Sequence, residues 1–201
     1  SAARQLIDKG WQPGRRWGYE VRAPADLDCT LADPDRPMPI AAWLARGFSL
    51  MHGRSIGPAE RREPASLLLP EGTYGPAFLA PANYFVLKAY NYADLYVLFV
   101  GQLSDHIADP QTPATRWGKA PLLRTREIEE LQQALSARGY YSDKIDGKAG
   151  MKTRLALGLY QKANGLKVDC WPTAAALAHL RGLGAGEAGA TKKGQTQRPG
   201  P

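Results

Sequence analysis

Three prolines between Asp109 and Pro121 divide this chain. Proline fixes φ and removes a backbone donor, so Asp109-Pro110-Gln111-Thr112-Pro113 and the later Pro121 oppose helix and favour an extended connection. The two sides differ in texture. Residues 1–108 are rich in Pro, Gly and aromatics, with short apolar runs and many turn signals. Residues 124–183 read as compact helices. From Gly184 onward no large apolar residue occurs, so 184–201 is expected to be a disordered tail. Residues 109–123 are then an interdomain linker. With 201 residues, of which 44% are hydrophobic, the chain is long enough for two small domains with their own cores.

The first region opens with a helical end, Ala3 to Lys9, stopped at Gly10. So short a fragment is far below the length at which isolated helices form, and reads as the last turns of a helix whose body lies upstream. Trp17-Gly18-Tyr19-Glu20-Val21-Arg22 alternates in the strand manner. Ile40 to Arg46 is a short helix begun by Pro39. Ser66-Leu67-Leu68-Leu69-Pro70 and Tyr84-Phe85-Val86-Leu87-Lys88 read as further strands. A helix follows from Ala93 to Ala108, where Leu95 or Tyr96, Phe99, Leu103 and Ile107 recur at three-to-four spacing. The region is mixed α and β.

In the second region Glu127, Glu129 and Glu130 crowd a helix start, where they complement its positive end. Ile128, Leu131 and Leu135 form the buried stripe, and Gly139 is the stop. Asp146-Gly147 is a turn dipeptide. A second helix covers Met151 to Ala163, with Met151, Leu155 and Leu159 one turn apart, and ends at Asn164-Gly165. A third starts near Pro172 and presents Ala174, Leu177 and Leu180. The fold class is therefore α+β: a mixed strand and helix segment followed by a small three-helix bundle.

Composition narrows the function classes. The longest apolar run, Leu95 to Val100, falls far short of a transmembrane helix. The formal charge is +7, but the basic residues are scattered in short pairs and read as solvated surface. No recognition helix or stacking motif accompanies them, so nucleic acid is not an expected partner. His52, His106 and His179 stand apart with no second ligand at metal spacing; neither metal nor cofactor is expected. Cys29 and Cys170 fall in different regions. They read as unpaired small hydrophobes, a disulfide being the alternative in an oxidising compartment.

The bundle resembles the peptidoglycan-binding module of cell-wall hydrolases. The resemblance rests on Leu131-Gln132, Leu135, Gly139-Tyr140, Ile145-Asp146-Gly147, Gly150, Thr153, Tyr160-Gln161, Asn164-Gly165-Leu166 and Leu177. It departs at Cys170-Trp171, where the family usually has glycine nearby. The first region resembles the carboxy-terminal half of the catalytic part of the membrane-bound lytic murein transglycosylase B family, a lysozyme-like fold. There the matching residues are Gly10-Trp11, Trp17-Gly18-Tyr19-Glu20-Val21, Ala65 to Pro70, Gly75 to Leu79, Asn83-Tyr84, Tyr90-Asn91 and Tyr96.

That second resemblance implies non-hydrolytic cleavage of the bond between N-acetylmuramic acid and N-acetylglucosamine, the muramyl 6-hydroxyl attacking its own anomeric carbon to leave a 1,6-anhydro sugar. It implies that one glutamic acid acts as acid and then base, and that this glutamate lies upstream of Ser1, so no catalytic residue is expected on this chain. Glu20, Glu63, Glu71, Glu127, Glu129 and Glu130 are not placed by sequence in a pKa-raising pocket. The resemblance also implies that Tyr90, Asn91 and Tyr96 line the glycan groove, with Tyr90-Asn91 ending a strand. Aromatic faces bury the apolar side of a pyranose, and an amide offers both donor and acceptor. Ala89 and Ala93 stand where relatives often carry arginine and a small hydroxyl residue. The implied partners are peptidoglycan glycan strands and the upstream catalytic half, in the periplasm or cell envelope. A non-catalytic peptidoglycan-binding protein is the alternative.

Overall fold

Successive strand residues point to opposite faces of a sheet, and this alternation builds the first region. Leu67 and Leu69 enter one core with Tyr19, Val21 and Leu79; Leu68 enters another with Phe78 and Ala80. The computed structural model describes residues 1–110, 113–118 and 120–190, the side chains of 183–190 excepted. Its strands are β1 (Tyr19–Arg22), β2 (Met38–Pro39), β3 (Ser49–Leu50), β4 (Pro64–Leu68), β5 (Pro70–Thr73) and β6 (Ala77–Pro81). Five of them form an antiparallel sheet in the order β2-β4-β6-β1-β3. One face is covered by α2 (Ile40–Ala45), whose buried Trp43 donates its indole N–H to Ala65 O at 2.8 Å. The other is covered by α4 (Ala82–Asn91) and α5 (Asp94–Ala108); α1 (Ala2–Asp8) and α3 (Pro58–Arg61) are peripheral. The region is α+β.

Two expectations are corrected here. Tyr84 to Lys88 is helix, not strand. An unbroken apolar run carries no period, and such a run fits either element. Asn83, 1% exposed, decides the matter. Its side chain accepts from Gln12 N and donates to Gln12 O and Arg15 O, at 2.8–3.0 Å, pinning the first turn of α4. Helix α5 forms over the expected span, but most of the stripe that identifies it faces outward. Leu95, Phe99, Leu103 and Ile107 are 45–76% exposed, whereas Val97, Leu98 and Gly101 are buried. Spacing reveals a helix with two apolar faces without saying which one this chain covers.

The bundle consists of α6 (Thr125–Ala137), α7 (Met151–Ala163) and α8 (Ala174–Ala190) around Leu131, Leu135, Leu157, Tyr160, Leu177 and Leu180. Leu159 is exposed; Leu157 and Tyr160 take the core positions on α7. Helix α8 continues past the boundary expected at Gly184, and 191–201 lie outside the described residues. Two buried glutamines organise the connecting loops. Gln132 accepts from Asp146 N and Gly147 N and donates to Asp146 Oδ1, Lys148 O and Thr153 Oγ1, all at 3.0–3.1 Å. Gln161 accepts from Asp169 N and Cys170 N and donates to Asp169 Oδ1.

The two regions interlock. Cys29 and Cys170 form a disulfide, correcting the unpaired reading. Pairing across 141 residues leaves no local signal, and cross-linking a loop of that length stabilises by about 5 kcal/mol in the chain-entropy account. Cys170 has φ +53°, a left-handed value unfavourable for a side chain; the disulfide and the Gln161 hydrogen bond hold it there. Helix α7 must be bare beneath it: a β-carbon on Gly158 would lie 2.2 Å from Cys170 Sγ. At Gly72, with φ +59°, a β-carbon would meet Asp169 O at 2.2 Å. Thr73 N donates to that same carbonyl, and Tyr74 Oη donates to Asp169 Oδ2 at 2.7 Å. The described part of the linker lies against the first region, with Ala114 N and Thr115 N donating to Glu20 and Gly118 N to Glu71. Gln111, Thr112 and Lys119 are outside the described residues.

A buried ion pair completes the seam: Arg154 of α7 donates to Asp94 of α5 at 3.0 Å, their side chains 7% and 10% exposed. Without Arg154, Asp94 keeps Lys88 and Tyr84 on Oδ1 but loses the charged donor on Oδ2. Arg154→Met should therefore lower unfolding free energy by about 1.5–3 kcal/mol in urea titration, the range for a hydrogen bond to a charged group; a change below about 0.5 kcal/mol contradicts the pair's structural role.

Candidate functional site

The sequence-predicted groove residues meet at the corner between α4 and α5. Tyr90 and Asn91 are the last residues of α4, so they end a helix rather than a strand, and Tyr96 lies in the first turn of α5. Tyr92 makes the turn in the left-handed region at φ +64°, and Ala93 precedes α5 in extended backbone. Tyr90 and Asn91 are exposed and Tyr96 half-buried, so aromatic and amide surface is offered at one corner.

What fixes this corner is Asp94, the first residue of α5. Its Oδ1 accepts from Tyr84 Oη and Lys88 Nζ, both at 2.6 Å and both from α4; its Oδ2 accepts from Arg154. Burial by itself would raise the Asp94 carboxyl. The Arg154 and Lys88 cations and the two hydrogen bonds outweigh that and hold it at about 2. Burial and the adjoining Asp94 charge push the Tyr84 phenol well above its ordinary range, so it stays a donor. Sequence pointed to Tyr90, Asn91 and Tyr96 but missed the ionic brace behind them, because Arg154 is 60 positions away.

The glutamates separate by environment. Glu20 holds the linker, Glu71 holds Gly118 N, Glu127 caps α6 through Arg124 N, and Glu130 pairs with Arg181 at 2.6 Å. Glu63 differs. It is 9% exposed, Oε2 finds no hydrogen-bond partner among the described residues, and burial, reinforced by Glu60, raises its carboxyl against the opposing pull of Arg15 and Tyr19. Nearby, Tyr19 Oη donates to Glu60 Oε1 at 3.1 Å.

Two clefts flank the region. One, about 870 Å³, lies along the seam between the regions and is lined by Glu63, Phe85, Tyr92 and Lys148 among others. The other, about 380 Å³, lies beside the outward face of α5, with Trp17, Phe99 and Leu103 in its wall. Neither is lined by Tyr90, Asn91 or Tyr96. Among the described residues no three His, Cys, Asp or Glu side chains group to hold a metal ion, and no helix is long and apolar enough to cross a membrane.

Residues 1–105 match the model of the transglycosylase SLT domain, and 124–180 match that of a putative peptidoglycan binding domain. The chain is similar to SltB3 from Pseudomonas aeruginosa, solved in complex with NAG-anhNAM-pentapeptide, at 36% identity and a TM-score of 0.75. With the NAG-NAM-pentapeptide complex of SltB3 the figures are 37% and 0.69. Each comparison covers 89% of this chain and 48% of the other, so the chain spans about half the length of the solved structures it matches. No curated protein matches. A transglycosylase SLT domain over more than half the residues, joined to a peptidoglycan binding domain, places this chain in the SLT lytic transglycosylase family.

Proposed function

We propose that this chain is the groove and anchor portion of a peptidoglycan lytic transglycosylase that cleaves the MurNAc–GlcNAc bond without water. The observation that carries the reading is the match to SltB3, whose structures hold peptidoglycan fragments, over 89% of the chain at 36% identity. Tyr90 and Tyr96 stack on pyranose faces, Asn91 hydrogen-bonds acetamido and hydroxyl groups, and the bundle holds the wall. The proton donor belongs to an upstream catalytic half. In the step it serves, the leaving GlcNAc oxygen takes the donor's proton, and the muramyl 6-oxygen bonds to C1 and returns its proton to the donor. The chain's role is to hold the glycan still while that exchange occurs. Its place is the cell envelope, in the periplasm where the wall lies.

The exposed face of α5 supports a partnership with that upstream half. Leu95, Phe99, Leu103 and Ile107 present four large apolar side chains along one helix face, beside the cleft of Trp17. Contiguous exposed apolar surface of this kind marks an interaction site. Completed by the amino-terminal half of SltB3 as a chimera, the chain should release 1,6-anhydromuropeptides from purified sacculi, measured by chromatography of soluble products. Phe99→Asp in the chimera should cut release by at least tenfold. The isolated chain should be retained on sacculi and release nothing; release that disappears with Glu63→Gln contradicts the proposal.

The pH dependence follows from Asp94. Its folded carboxyl lies at about 2 against an ordinary 3.8. A lowered carboxyl contributes stability that is fully present above the unfolded value and is lost as pH falls through the folded one. The difference is worth about 2 kcal/mol. Between pH 5 and pH 2, Asp94→Asn should lose about that much less stability than the wild type in urea titrations; parallel pH profiles contradict the brace.

A further inference from the structure

Tyr92 is the residue of the α4–α5 corner that neither the groove assignment nor the ionic brace uses. It caps the carboxy-terminal end of α4 in the left-handed region at φ +64°. Glycine or asparagine normally fills such a position, because a larger side chain there crowds the backbone. The corner leaves Tyr92 no other conformation. Its N–H donates to Lys88 O at 2.6 Å, the Lys88 ammonium is tied to Asp94, and Ala93 O accepts from Val97 N as α5 begins. The tyrosine side chain gains nothing from its neighbours in return. Tyr92 is 76% exposed and, among the described residues, joins no apolar core, aromatic pair or side-chain hydrogen bond. Packing within this chain therefore does not account for a tyrosine here. A bulky residue held in left-handed backbone by its surroundings, with an unsupported ring, is the kind of outlier from which a functional role is inferred.

Its position gives that ring a use. Tyr92 lines the cleft of about 870 Å³, which Tyr90, Asn91 and Tyr96 do not, so it stands where the corner meets the seam between the two regions. Four acidic and four basic side chains line the cleft, and their formal charges cancel. Recognition there falls to the uncharged surface, where Tyr92 is joined by Phe85 and four prolines. Rigid apolar faces of this kind suit a pyranose, which lays its apolar side on a ring and leaves its hydroxyls to water. We propose that Tyr92 is a specificity-determining residue: it stacks on the next sugar beyond those held by Tyr90, Asn91 and Tyr96, and so makes the chain favour longer glycan strands. The proposal deepens the function given above and rests on it. The corner holds one disaccharide unit, and Tyr92 carries the strand onward into the cleft.

Isothermal titration of the chain at pH 7 with a peptide-free GlcNAc–MurNAc disaccharide and with the corresponding tetrasaccharide reads this role directly. The wild type should bind the tetrasaccharide about tenfold more tightly than the disaccharide. Tyr92→Asn, which suits left-handed backbone, should weaken the tetrasaccharide about fivefold and leave the disaccharide unchanged. Its midpoint of urea unfolding should not fall, because the ring supports nothing in the fold. Tyr92→Phe should bind both sugars as the wild type does, since stacking uses the ring face and not the hydroxyl. Tetrasaccharide affinity that is the same in the wild type and Tyr92→Asn overturns the role of Tyr92 and leaves the function above standing, as does an equal loss for the two sugars. Binding of neither sugar by the wild type overturns both this proposal and the reading beneath it.

Discussion

An ionised carboxylate inside apolar surroundings needs partners on every side, and Asp94 draws its partners from both regions of the chain. Tyr84 and Lys88 reach it from α4 and Arg154 from α7, while Asp94 itself starts α5. Three helices are thereby referred to one buried charge. The corner carrying Tyr90, Asn91 and Tyr96 is the turn between two of them, so its geometry depends on Arg154, a residue of the bundle. Substrate-positioning groups must be held to fractions of an ångström, which rigid supporting contacts achieve better than a free loop.

The remaining seam contacts act in the same direction. The Cys29–Cys170 disulfide, the approach of Gly72 to Asp169 and the packing of Met151 into the core shared by Phe78 and Leu98 place bundle residues inside the first region. Such an arrangement differs from a catalytic unit carrying a wall-binding module on a loose tether. A tether raises local substrate concentration only; under the proposed function, an interlocked module also fixes the direction from which the wall approaches the groove. The linker residues Ala114, Thr115 and Gly118 follow the surface of the first region under the hold of Glu20 and Glu71.

Sequence made the bundle legible because its determinants are local. Leu131 and Leu135 on α6 and Leu177 on α8 follow helical spacing, and Gln132 with Asp146-Gly147 sits within one loop's reach; on α7 the expected stripe through Leu155 and Leu159 is not the core face, which Leu157 and Tyr160 supply. The strand expected over Ser66 to Pro70 is present as β4 over Pro64–Leu68, with a break at Leu69 before β5. What escaped was set by contacts distant in sequence. Tyr84 to Lys88 became helix because Asn83 docks on Gln12 and Arg15; Cys170 found Cys29; Arg154 found Asp94. The oddity of Cys170-Trp171 against the module pattern was visible, but its cause, a cysteine in left-handed backbone tied to the other region, appears only in three dimensions. On α5 the period identified the helix, while the outward turn of Phe99 and Leu103 reflects which side this chain packs.

Interlocking of the two regions into one cooperative body is tested most directly by scanning calorimetry of the oxidised chain. A single transition is expected, with calorimetric and van't Hoff enthalpies in agreement, because the bundle cannot open without exposing Asp94 and Met151. Two transitions at well-separated temperatures, the bundle melting alone while the sheet region persists, would contradict the account.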